Sequence, residues 1–403
     1  DEALDCTYNY KVTATVTTPI TDNSDSDVKV VVGDKTMTLK ELTTAGTNGI
    51  IVSGEIKDLT KGNSVSIPLT SSVTNTTNTQ DKLVGNSYTI KIEPYNSGDT
   101  KAFSCKLHAD SIPLADKLIA SGNLWQSGLE GDGYRYTGSG AVGTSTNPNN
   151  FICFGTNNKS ECTANQDKYM YRVLGVFSDA NGDNHVKLIK YKQLEKYAWN
   201  ANYQTDISWE NSDMYKGLNG NYFLTNTTYD YLQDTTWNNR IENWTWSAVN
   251  TKTYDGSNGP SYYSITTQQM YLHEMNRTGK SSTVGEWTNP VGKIGLMYAS
   301  DYQMSLGSSA LALTGSYSST LKTGWMHQSN NDITKSSYEW TLSRRGARSG
   351  GYFFAWFVNS GGSVDGSNVN GVYGARPVFY LTTDVKITTD GDGTLENPFI
   401  IQQ

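Results

Sequence analysis

The segment CTYNYKVTATVT (residues 6–17) alternates apolar and polar positions and places Tyr8, Tyr10, Val12, Ala14 and Val16 on one side. A period of two predicts a half-buried strand. VKVVVGDKTMTLKEL reads as two strands around a Gly33-Asp34 turn. GIIVSGEIKDL, SVSIPL, SYTIKIEPY and KAFSCKLH supply more. About seven short strands without a helix predict an Ig-like antiparallel β-sandwich over residues 1–109.

The pattern changes near Asp110. DSIPLADKLIASG predicts a short helix with Asp110 or Ser111 as N-cap and Gly122 at its end. YMYRVLGVFSDANGDNHVKLIKYKQL is the clearest hairpin, two alternating strands around Asn181-Gly182. Between Trp199 and Gly285 regularity fades, and only YSITTQQMYLHEMN suggests a helix. VGKIGLMYASDY (291–302) and SSYEWTLSRR (336–345) read as strands. GARPVFYLTTDVKI and NPFIIQQ read as closing strands joined by TDGDGTLE. The chain is therefore expected to be mainly β with some α, in two parts.

Composition narrows the function. Charged residues make up 18% of the 403 residues, the net charge is −7, and no basic run occurs. Nucleic acid is not an expected partner, because phosphate binding needs clustered cations. No apolar run reaches membrane length. A transmembrane or pilin-like segment ahead of Asp1 is the expected anchor, and the only expected link to a membrane. Cys6, Cys105, Cys153 and Cys162 lack zinc-site spacing. Two disulfides are expected, Cys6–Cys105 clamping the ends of the first domain and Cys153–Cys162 closing a small loop. Four free thiols are the alternative. Bridged cysteines imply an oxidising, extracellular setting.

Motifs for chemistry are few. HEMNR at His273 lacks the second histidine of a zinc-protease helix. His108, His185, His273 and His327 share no ligand spacing and read as surface or loop residues. DANGDNH (179–185) and DGDGT (390–394) offer close carboxylates but lack the twelve-residue calcium loop, so they read as turns.

The C-terminal part carries longer signatures: YMYRVLGVF with HVKLIK, DMYKGLNGNYFLTNTTY, KIGLMYASDY, SSYEWTLSRR, and GARPVFYLTTDVKI with GDGTLENPFII. On these runs the chain resembles the variable proteins of diversity-generating retroelements, surface proteins of gut Firmicutes. The resemblance covers roughly residues 112–403. It implies a C-type-lectin-like α+β fold of the formylglycine-generating-enzyme subtype, with long loops, over residues 110–403. It also implies a variable region at about 343–381. In such proteins a fixed frame holds side chains diversified at template adenines, typically in AAY codons. Changing the first two bases of AAY never yields Lys, Glu, Gln, Met or Trp. No Lys, Glu, Gln or Met falls between Arg345 and Ala375, and Trp356 must then belong to the frame.

The positions matching the family's frame are Ser343, Arg344, Gly346, Ala355, Trp356, Val358, Gly362, Val364, Val369 and Arg376 to Leu381, with Trp340 beside them. The positions expected to vary are Arg345, Ala347, Arg348, Gly350, Tyr352, Phe354, Asn359, Gly361, Ser363, Asp365, Ser367, Asn368, Asn370 and Tyr373. These side chains are expected to form one solvent-facing platform, with Tyr352, Phe354 and Tyr373 as anchors and Trp325 and His327 at its edge. Tyr, Asn, Ser and Gly at a binding surface combine contact area with adaptable hydrogen bonding.

The enzymes of this fold need a reactive cysteine pair near the C-terminal end. All four cysteines here precede residue 163. Catalysis is not expected, nor a cofactor; calcium, found in parts of that fold, has no specific support. The expected function is binding of a protein or glycan on another cell, host or phage by an extracellular, surface-displayed protein. Two rivals are a carbohydrate-binding module or glycan-acting enzyme, suggested by the many Trp and Tyr, and a structural pilus subunit.

Overall fold

The computed structural model describes residues 3–17, 26–60, 67, 69–73, 87–96, 101–107, 112–138, 147–203, 208–250, 265–278, 280, 286–327, 336–348, 352–388 and 391–402. The protein is mainly β with several sheets and few helices. It divides into two compact units, Asp1–Ile112 and Pro113–Gln403.

The first unit holds strands β1 (Ala3–Val16), β2 (Val28–Val32), β3 (Lys35–Thr38), β4 (Ile50–Thr60), β5 (Leu69–Val73), β6 (Tyr88–Pro94) and β7 (Phe103–Leu107). β1 pairs with β4, its first half also with β7 and its second half with β6. A second sheet runs β3-β2-β5. Inward residues of both sheets, among them Val12, Val30, Val32 and Val52, share one core with Met37 and Leu42. Cys6 and Cys105 are opposite partners on β1 and β7 and are disulfide-bonded.

The expectation of strands without a helix needs correction. Leu39–Ala45 is a helix that starts where β3 ends. Thr38 caps it: Glu41 N donates to Thr38 Oγ1 at 3.2 Å, and Thr38 N donates to Glu41 Oε2 at 2.7 Å. This reciprocal capping box satisfies two donors that a helix start leaves open.

In the second unit the helix Leu114–Ala120 has Pro113 at its N-cap position; Asp110 and Ser111 lie outside the described residues. The strands that follow are β8 (Trp125–Gln126), β9 (Tyr134–Arg135), β10 (Phe151–Cys153), β11 (Met170–Ser178) and β12 (Asn184–Lys190). Next come the short strands β13 (Tyr197–Ala198), β14 (Trp244–Thr245), β15 (Ala248–Asn250), β16 (Glu286–Thr288) and β17 (Val291–Gly292). The last are β18 (Glu339–Arg348), β19 (Tyr352–Val358), β20 (Val364–Asn368), β21 (Val372–Tyr373), β22 (Val378–Tyr380) and β23 (Phe399–Ile400).

The main sheet runs β22-β12-β11-β10-β23, with β9 joined to β11 and β8 to β9. Its one parallel pair is β10–β23; the others are antiparallel. The Cys153–Cys162 disulfide ties β10 to the helix Lys159–Ala164. Two disulfides fit an oxidising location, and among the described residues no helix is long and apolar enough to cross a membrane.

Irregular segments are pinned by large side chains. Trp199, Trp209, Trp246, Trp325 and Trp340 are fully buried. Trp199 Nε1 donates to the Thr341 carbonyl and Trp246 Nε1 to the Gly292 carbonyl. The buried Arg172 guanidinium lies between the rings of Phe151 and Trp325, at 4.3 and 4.2 Å from their centroids. The expected strand 291–302 is another correction: after β17 the chain forms the helix Ala299–Met304, with Asp301 Oδ2 accepting from Tyr298 N.

Candidate functional site

β18, β19 and β20 form an antiparallel sheet in that order. β19, YFFAWFV, is dense in aromatic and branched residues, which suit a pleated surface packed on both sides. β18 carries two irregularities, between Trp340 and Arg344 and between Arg344 and Gly346. Bulges of this kind change the direction of the side chains that follow. Asn359 builds the turn into β20: its Oδ1 accepts from Gly361 N at 2.9 Å and Ser363 N at 3.1 Å. Gly362 has φ +89°, and a Cβ there would lie 2.6 Å from the Lys322 nitrogen. Both facts demand glycine.

The frame positions whose side chains are described are buried. Trp340, Ser343, Arg344, Ala355, Trp356, Val358, Val364, Val369 and Arg376 are each at most 3% exposed. Trp340 Nε1 donates to the Tyr197 carbonyl at 2.9 Å. The Arg344 guanidinium sits 5.1 Å from the Phe353 ring centroid. Arg376 Nε donates to Glu339 Oε1 at 2.6 Å, and its Nη2 to the Met326 carbonyl at 2.7 Å.

Of the fourteen positions expected to vary, Gly350 lies outside the described residues. Ala347, Arg348 and Tyr352 are placed as strand positions, with Ala347 opposite Phe353 and Arg348 opposite Tyr352. Gly361 and Asn370 are exposed. Arg345, Phe354, Asn359, Ser363, Asp365, Ser367, Asn368 and Tyr373 are half-buried.

They do not form one platform. Phe354 faces Asn368 across the strands, and the Arg345 guanidinium lies 5.9 Å from the Phe354 ring and 5.3 Å from the Trp356 ring. Asp365 and Ser367 pair with Phe357 and Ala355, which puts them on the opposite face of β20 from Asn368. There Tyr373 packs 5.1 Å from the Phe357 ring and 4.7 Å from the Trp340 ring, and its hydroxyl meets Ser367 Oγ at 2.9 Å. Among the described strands β20 pairs only with β19, so the surface wraps around an edge strand.

Three further expectations change. Asn359 spends its side-chain oxygen on the turn. Trp325 and His327 are at most 1% exposed and lie in the core, not at a surface edge. His185 and His273 are also buried, and only His108 lies outside the described residues. Burial pushes the His327 imidazole down to about 4, which keeps it neutral near pH 7. His185 Nδ1 is 2.8 Å from the Leu381 carbonyl.

Sequence reasoning passed over three contributors. Gly366 leaves room for Arg345, whose Cδ would lie 2.3 Å from an added Cβ. Tyr338 is 40% exposed and Val372 55%, extending the edge with apolar area. Their signal was position, next to Trp340 and Tyr373.

Behind the sheet, Glu274 is buried and accepts from Ala299 N at 2.9 Å, from Ser300 N at 3.1 Å and from Ser343 Oγ. Burial pushes its carboxyl up to about 7. No group of three or more His, Cys, Asp or Glu side chains gathers as a metal set among the described residues. The Asp179 carboxylate accepts from Asn181 N and Asp183 N, and Asp392 accepts from Thr394 N; both serve turns. No family model, curated protein or solved structure matches the chain.

Proposed function

We propose that this is an extracellular, surface-displayed ligand-binding protein without catalysis. Its C-terminal unit is a C-type-lectin-like domain whose β20 edge and flanking turns are diversified. Its N-terminal unit is an Ig-like stalk. One observation carries the reading. Along β18–β20 the frame residues whose side chains are described are buried, whereas Arg345, Phe354, Asp365, Ser367 and Asn368, assigned to variation, are not.

The chemistry of the edge supports it. Phe354, Tyr373, Tyr338 and Val372 offer apolar contact, and Arg345, Asp365 and Asn368 offer charge and hydrogen bonding. Exposed apolar groups clustered at one edge are characteristic of interaction surfaces. Buried tryptophans and the Arg376–Glu339 pair keep the backbone fixed while edge side chains change. The partner is a protein or glycan on another cell, host or phage.

The test combines substitution with binding. Replacing Phe354 by Ser, Asp365 by Tyr and Asn368 by Arg together should leave the melting temperature within a few degrees. The same variant should lose adhesion of the purified chain to target cells in flow cytometry. Unchanged adhesion overturns the reading. At the nucleotide level, the gene should lie near a reverse-transcriptase gene. A near-copy of the stretch encoding residues 343–381 should lie there too, differing only at adenines.

A further inference from the structure

A cavity of about 750 Å³ opens in the C-terminal unit, and none of its lining residues belongs to β18, β19 or β20. Its volume is within the usual range for a small-molecule site. It lies among the β11–β12 hairpin, residues 242–247 and the end of the helix Thr267–Glu274.

The floor is charged but internally balanced. Asp301, 2% exposed, accepts from Lys187 Nζ at 2.6 Å and Arg135 Nη1 at 2.7 Å, and Arg135 also pairs with Asp132. The walls are aromatic. Trp244 stacks on Tyr380 with centroids 3.7 Å apart, and Phe177, Tyr271 and Tyr298 complete them. The rim carries Asn181, Asn243, Asn289 and Glu242.

Arg277 stands apart. It follows Asn276, whose φ of +53° is the one positive value among the described non-glycine residues. This left-handed cap ends the helix, and Arg277 N then donates to the Leu272 carbonyl at 2.8 Å. The guanidinium lies against Gly131, itself at φ +73°, where a Cβ would be 2.3 Å from Arg277 Nη2. Backbone and slot therefore hold the side chain in the cavity lining. Yet among the described residues Arg277 Nε is buried without a hydrogen-bond partner and Arg277 forms no ion pair. Arg277 thus brings to the cavity lining a guanidinium charge that no carboxylate among the described residues neutralises, which suits an anionic group entering from outside.

We propose that the cavity binds a sugar bearing a carboxylate, a uronic-acid-type unit. The carboxylate lies on Arg277, the apolar face of the ring lies against the aromatic wall, and the hydroxyls meet the amides and carboxylate of the rim. A multiply charged phosphate fits worse. The lining carries Asp179, Glu242 and Asp301, and two of its three fixed cations are already committed to Asp301.

The experiment is titration of the full chain with sodium glucuronate, glucose and benzoate, read by saturation-transfer NMR and calorimetry. Glucuronate should bind at least tenfold more tightly than glucose. Arg277→Ala should remove that preference, and Arg277→Lys should restore part of it, each with the melting temperature unchanged. Absence of glucuronate binding, or equal binding by Arg277→Ala, overturns the site. Glucose binding as tightly as glucuronate overturns the carboxylate role, and benzoate binding with glucuronate silent overturns the sugar.

Discussion

The Arg376–Glu339 pair sets a sharp test of how the edge sheet is held. Both side chains are at most 1% exposed and meet at 2.6 Å. Arg376→Met leaves Glu339 as a buried carboxylate without its cation. Two unit charges about 4 Å apart attract by about 4 kcal/mol at an effective dielectric of 20. Breaking a buried pair from one side typically costs about 3–5 kcal/mol. Arg376 also disfavours the charge on nearby Arg172, so its removal returns part of that cost. The expected loss is about 3 kcal/mol. Glu339→Leu with Arg376→Met removes both desolvation penalties and should fall within about 1 kcal/mol of the parent.

All ten tryptophans lie beyond residue 113, so their fluorescence in urea follows the C-terminal unit alone. Acid provides a second axis. Burial already raises the Glu339 carboxyl, and Arg376 opposes that rise. Without Arg376 the folded-state value climbs further above the unfolded one, so the folded variant holds a proton that the unfolded chain releases. The deficit of Arg376→Met should therefore shrink as pH falls toward 4.5 and grow as pH rises. Single variants costing under about 1 kcal/mol would refute the reasoning. So would a double variant as unstable as the worse single one.

Glu274, raised from 4.5 to about 7, stabilises the fold most below pH 4.5 and progressively less up to pH 7. Glu274→Gln should flatten the urea midpoint between those values relative to the parent. Reducing Cys6–Cys105, which spans 99 residues, should cost its unit about 5 kcal/mol, against about 3 kcal/mol for the short Cys153–Cys162 loop; paired Cys→Ser variants in denaturant compare them. Gly362→Ala forces a side chain into a left-handed position against Lys322 and should lower stability by about 1–3 kcal/mol, measured by thermal melting.

Much of the architecture was legible because alternation is a direct consequence of strand geometry. β1 and the β11–β12 hairpin follow their periodicity, and the cysteine positions admitted the observed pairing. The two helices read as strand were hidden by context. Thr38-Leu-Lys-Glu41 is a capping signature, but it continues an alternating strand. Asp301 interrupts an apolar run that looked extended, whereas it anchors both a helix start and two buried cations.

The single platform failed for a reason the sequence already contained. Successive residues of a strand point to opposite sides, so Asp365 and Ser367 cannot share a face with Asn368. The cavity around Arg277 was not legible. Its parts are scattered from Gly131 to Tyr380, and no local spacing announces them.

The covalent link between β1 and β7 has a mechanical meaning. Tension entering ahead of Cys6 and leaving beyond Cys105 travels through one sulfur–sulfur bond, because the two residues are direct cross-strand partners. Stretched, the enclosed chain would span roughly 330 Å, and none of that slack can be released while the bond is intact. Between Cys6 and Cys105 the N-terminal unit is therefore inextensible under load, whatever force the chain carries.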